Sequence, residues 1–268
     1  MTDVALERTA PRRPWTIVAA RELRDLWLGG RGLTLSIAYS LLLSVLSYLV
    51  ATNRALNFLE QRESVNLTLQ VAIAVGALLA LLGAADAISG ERERGSLESL
   101  LLTPVPRLQL VLGKLVAALS LWLAAYVITI PYVWFLGRGI GIVWQSLAVG
   151  LGVGTLLAVF LASLGALVSI VARSNRASLS LSLLLLLALF APTQFPTGAT
   201  QGWAGDLLLR ANPLTAGEHY VGKIVVDAHS WTQDISWLVS PVVAAIVLAA
   251  LAAIAGARFI RLEGGRGA

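Results

Sequence analysis

Six long apolar stretches dominate this chain, and few environments other than a membrane accommodate them. They run approximately over Leu33–Ala51, Leu67–Ile88, Leu108–Leu136, Ile142–Ala172, Ala177–Ala191 and Trp237–Ala257. A helix needs roughly 20 apolar residues to cross a bilayer, and in hydrocarbon its backbone polar groups must be satisfied internally. The fifth stretch is short, so its helix is expected to run past both apparent ends. Pro131, within the third, is expected to kink that helix or mark its outer end. Only 13% of the residues are charged, against about 25% in an ordinary soluble domain, and no polar block is long enough to bury its own core. The expected fold is an all-α integral membrane protein with six transmembrane helices, one domain over residues 1–268. Residues 1–14 are polar and arginine-bearing, so no signal peptide is expected. With no cysteine, disulfides and thiolate metal sites are excluded.

Arginine and lysine orient the bundle. With both termini cytoplasmic, the inner segments are 1–32, 89–114, 173–176 and 258–268. They hold fifteen of the twenty basic residues; the outer side keeps Arg54, Arg62, Arg138, Arg210 and Lys223. This asymmetry fits six spans with both ends inside. The net charge of +5 is thereby a topology signal and implies no nucleic acid.

Residues 15–30, ahead of the first span, are patterned differently. At helical spacing Trp15, Ala19, Leu23, Leu26 and Trp27 share one arc, opposite Arg21, Glu22, Arg24 and Asp25. Tryptophans on an apolar face suit a helix lying in the membrane interface; the alternative is a packed helix of a small soluble appendage.

The loop between the second and third spans, residues 89–106, contains Glu91, Arg92, Glu93, Arg94, Gly95, Ser96, Leu97, Glu98, Leu100, Leu101, Thr103 and Pro104. Gly90 and Gly95 permit sharp turns, and Ser96 is a good N-cap for a short helix through Thr103. Glu98 favours its first turn, and Pro104 and Pro106 stop it. Such a helix is too short to persist alone. It is expected to expose Leu97, Leu100 and Leu101 beside charged residues, as suits a protein partner's groove. The alternative is a solvated loop whose charges only fix topology.

The run E-R-E-R-G-S-L-E-S-L-L-L-T-P followed by L-V-L-G-K resembles the hallmark of type-2 ATP-binding-cassette (ABC) transporter permeases. The element Asn212-Pro213-Leu214-Thr215 is similar to that family's N-P-L-T segment. The resemblance extends over nearly the whole chain. It implies that the 89–106 loop carries a cytoplasmic coupling helix docking into a cleft of a separate ATPase subunit. Glu91, Arg92, Glu93, Gly95, Ser96, Leu97, Glu98, Leu100, Leu101, Thr103 and Pro104 would form that contact. It further implies short re-entrant helices within the outer segment 192–236, and a dimer of permeases, two identical copies or two related ones, with two ATPase subunits. ATP and magnesium would sit in those partners, with no cofactor in this chain. The expected role is an exporter's membrane subunit in a prokaryotic plasma membrane, without catalysis of its own. A membrane scaffold or a lipid-acting membrane enzyme is the alternative.

Other motifs carry less. Gly217 to Lys223 matches most of a P-loop, but Ile224 replaces the Ser or Thr that would hold magnesium. His219 and His229 lack a zinc-binding pattern. In the first span Ser36, Ser40, Ser44 and Ser47 share a face flanked by Tyr39 and Tyr48: either a packing surface or a mildly polar translocation path. In the fourth, Gly150, Gly154, Ala158, Ala162 and Ala166 form a small-residue ladder, most simply read as packing. Asp86 alone approaches the interior of a span, near its inner end, which argues against a proton-coupled carrier.

Overall fold

A computed structural model of the chain describes residues 14–52, 58–97, 102, 105–191 and 202–259; among these there is no strand. The helices are α1 (Pro14–Leu28), α2 (Arg31–Thr52), α3 (Phe58–Asp86), α4 (Ser89–Glu93), α5 (Arg107–Gly137), α6 (Val143–Val171), α7 (Asn175–Phe190), α8 (Trp203–Ala211), α9 (Pro213–Val225) and α10 (Val239–Phe259). A 3-10 turn, Ile235–Leu238, leads into α10.

Among the described residues five stretches are long and apolar enough to span a membrane: Arg31–Thr52, Gln61–Glu93, Arg107–Gly137, Val143–Val171 and Ile235–Arg258. The remaining apolar run becomes α7, 16 residues from Asn175, or about 24 Å at the α-helical rise. That is short of the roughly 30 Å hydrocarbon core, so the described residues supply five long spans and one short apolar helix. Ser174 sets its start, its hydroxyl accepting from the Ala177 amide at 3.2 Å. Pro131 does not end α5; the helix continues to Gly137.

The centre of the bundle is α6, with α3 and α5 against it, while α2 and α10 lie at the periphery. Close approach explains the small-residue ladder. A Cβ on Gly154 would sit 2.2 Å from the Trp122 ring, and one on Gly150 would sit 2.6 Å from Leu69. Ala158, Ala162 and Ala166 are buried in the same seam. Trp122 is also faced by Gly76, where a Cβ would come within 2.7 Å, and its indole N–H donates to Thr155 Oγ1 at 3.1 Å. Residues 138–142 join α5 to α6 using Gly139 and Gly141, at φ 99° and 71°, conformations that side chains with a Cβ resist.

The apolar arc of α1 packs on protein as well as facing outward. Val18 fits against Gly113 of α5, where a Cβ would meet it at 2.7 Å. The Trp27 indole N–H donates to Ser120 Oγ at 3.1 Å, and the Trp15 amide to Gln109 Oε1 at 3.2 Å. Arg21, Arg24 and Asp25 remain exposed. Glu22, expected on the polar arc with them, turns inward instead.

Candidate functional site

The 89–97 segment is a joint wired into much of the bundle. α4 is a five-residue helix directly after α3. Gly90 lies inside it, where a Cβ would fall 2.2 Å from Asp86 Oδ1. Gly95 closes it at φ 71°, letting the Ser96 amide donate to the Glu91 carbonyl at 3.0 Å.

Lys114 is the buried centre. Its side chain is 3% exposed, and Nζ donates to Glu22 Oε1 at 2.8 Å and to Glu91 Oε1 at 2.7 Å. A charge removed from water needs such partners; here they tie α1, α4 and α5 together. Asp86 extends the wiring to α2, lying 3.2 Å from Arg31 and 3.6 Å from Arg94. Arg92 donates to the Ala172 carbonyl, and to that of Ile170 at 3.3 Å, satisfying carbonyls at the end of α6 that lack intrahelical donors. Glu93 Oε2 accepts from the Asn175 amide at 2.9 Å, a carboxylate at the N-terminus of α7. Ser89 completes the link, its amide donating to Ser169 Oγ at 2.9 Å and its hydroxyl to the Ala85 carbonyl at 2.7 Å.

This geometry corrects part of the sequence expectation. Leu97 is not presented outward: it is 6% exposed and packs with Ile88, Val111, Ile170 and Ala255. Glu91, Arg92 and Glu93 do not form a free rim, because Lys114, the carbonyls at the end of α6 and the Asn175 amide hold them. Ser96 is half-buried. Glu98, Leu100, Leu101, Thr103 and Pro104 lie outside the described residues, whereas Leu102 is exposed. Lys114 and Glu22 were missed as a pair. The available signal was a lone lysine inside L-V-L-G-K-L-V, since a cation in an apolar run demands a partner.

The serine face of α2 meets α5. Ser40 and Ser44 hydroxyls lie 3.1 and 2.8 Å from Tyr132 Oη, while Tyr39 Oη lies 2.6 Å from Thr129 Oγ1. Ser36 is half-buried and Ser47 buried. Hydrogen bonding between helices thus accounts for Ser40 and Ser44.

In the outer segment Asn212 caps α9, its Oδ1 accepting from the Leu214 amide at 3.0 Å and its Nδ2 donating to the Leu189 carbonyl at 2.6 Å. Pro213 occupies the first helical position, where its missing N–H costs nothing. The P-loop-like residues Gly217 to Lys223 lie within helix α9, so their amides form no phosphate cradle. The His219 ring packs on Trp237 at 3.9 Å, and His229 Nδ1 lies 2.6 Å from Asp234 Oδ2. Among the described residues no group of three or more His, Asp or Glu is placed to hold a metal.

A helical membrane protein with a charged joint between its second and third long spans is the class so defined. A family model described as ABC-2 family transporter protein matches residues 17–262, and the chain belongs to that family. No curated protein matches the chain in sequence.

Proposed function

We propose that this chain is the permease subunit of an ABC exporter, paired with a second permease and driven by two separate ATPase subunits that carry ATP and magnesium. The observation that carries the reading is the Lys114 joint, at the loop where the family resemblance expects the coupling helix. ATPase closure would displace residues 89–106. Because Glu91, Arg92, Glu93 and Asp86 are bonded to α5, α6, α7 and α2, and Lys114 carries the link on to Glu22 of α1, a push there is shared by five helices rather than absorbed in a loop. Leu100 and Leu101 are assigned to the partner's cleft. Leu97 anchors the segment to the bundle. The loop and both termini are assigned to the cytoplasmic face of a prokaryotic plasma membrane, and α8 and α9 to re-entrant elements on the outer side.

Two variants, assayed by capture of the ATPase subunit and by transport in proteoliposomes, test this. Truncating a well-packed buried leucine costs about 2–5 kcal/mol, so Leu100→Ala with Leu101→Ala should abolish capture. Gly95→Pro forces a residue at φ 71° to about −65°; capture should survive while transport per ATP falls. Normal capture and transport by the double-leucine variant would reduce the loop to a spacer.

A further inference from the structure

A cavity of about 460 Å³ opens beside the Lys114 joint, walled by α1, the start of α2, the end of α3, α4 and α5. Its charges are sorted by depth. At the buried end, one cation, Lys114, faces two carboxylates, Glu22 and Glu91, whose side chains are 22% and 14% exposed. That leaves an excess of one negative charge. Glu91 Oε2 is buried and meets no hydrogen-bond donor among the described residues, a costly state for a carboxylate oxygen. At the open end, Arg31 and Arg94, 65% and 47% exposed, share the single carboxylate of Asp86, leaving an excess of positive charge. Arg21 and Asp25 at the rim pair with each other at 3.8 Å and cancel. Leu26, Leu35, Leu82 and Leu121 supply apolar wall between the charged groups.

We propose that this cavity binds a zwitterion carrying a primary ammonium and a phosphate. The ammonium lies against the carboxylates of Glu22 and Glu91, the phosphate against Arg31 and Arg94, and an attached hydrocarbon stem follows the leucines. A quaternary ammonium offers no N–H to these carboxylates. A purely anionic headgroup would be repelled at the buried end. The ligand chemistry is that of an aminoethyl phosphate, as a phospholipid headgroup or free in solution. The assignment rests on the charge layout and not on the ATPase reading.

The test is native mass spectrometry with thermal-shift measurement on the full chain in mild detergent. It compares phosphatidylethanolamine, phosphatidylcholine and phosphatidylglycerol of identical acyl chains, with free phosphoethanolamine as competitor. Phosphatidylethanolamine should be retained roughly tenfold better than phosphatidylcholine, as loss of one charge-assisted hydrogen bond implies. Glu91→Gln should bring the two within about twofold. Arg31→Gln, at a far more exposed position, should weaken both phospholipids alike and keeps the test open if the Glu91 variant misfolds. Displacement by free phosphoethanolamine assigns the headgroup alone, and its failure alongside a phosphatidylethanolamine preference assigns the lipid. Equal retention of the three lipids, or preference for phosphatidylglycerol, overturns the proposal.

Discussion

Glu218 sits half-buried on α9, outside the five long spans, its backbone carbonyl accepting from Gln70 Nε2 at 3.4 Å. Burial pushes its carboxyl from the ordinary 4.5 up to about 7. A group that holds its proton more tightly when folded stabilises the fold at low pH. That contribution drains away as pH rises from about 4.5 through about 7 and is gone above, by on the order of 1–3 kcal/mol. Thermal stability in detergent should therefore fall across this window in the native chain, and Glu218→Gln should flatten the slope; an unchanged slope would show that Glu218 does not titrate there. At this scale the sequence was only partly readable. The need of Lys114 for a partner follows from its apolar setting, yet Glu22 lies 92 residues away and no periodicity connects them. Leu97 looked exposed because its neighbours are charged; its apolar partners come from α5, α6 and α10, which only folding brings together.

Among elements, the seam of α3, α5 and α6 was the most legible, because glycine and alanine at helical spacing have one economical use, close packing. What the spacing could not say is which bulky group fills the groove. Trp122 does, lodged between Gly76 and Gly154. Gly154→Ala should thus cost about 1–3 kcal/mol by overpacking. Gly152→Ala, two residues along the same helix with nothing within 4 Å of the added Cβ, should be neutral or stabilise by about 0.5–1 kcal/mol. Unfolding midpoints of the two variants check the contrast, and equal losses would mean that helix α6 tolerates no added methyl anywhere. The α2 serines were less legible, since hydroxyls spaced four apart serve a polar path or a hydrogen-bonded seam equally well; Tyr132, 92 residues from Ser40, supplies the seam.

For the whole molecule, the apolar runs located four of the long helices to within a few residues, since hydrocarbon leaves the backbone no alternative to helix; α3 begins at Phe58, nine residues before the apolar run starts at Leu67, because its first turns are polar. The depth reached by α7 is another matter. Its 16 residues are few for a crossing, and whether it crosses decides the sidedness of the termini: six crossings place them together, five place them apart. The basic residues favour six. Cysteines replacing Thr9, Leu102 and Gly264 should then resist a membrane-impermeant reagent in intact cells, while one replacing Thr200 reacts. Labelling at Gly264 but not at Thr9 would mean five crossings.

The five-residue link between α5 and α6 bears on how the protein is made. It contains a single charge, Arg138, whose guanidinium lies 4.5 Å over the Phe135 ring, and both flanking helices are about 30 residues long. Such a hairpin has only one charge to carry if it enters a bilayer as one unit. With α3 alone in place, Trp122 has the Gly76 wall of its groove but not the Gly154 wall. Closing the groove therefore requires α6, the second arm of the hairpin.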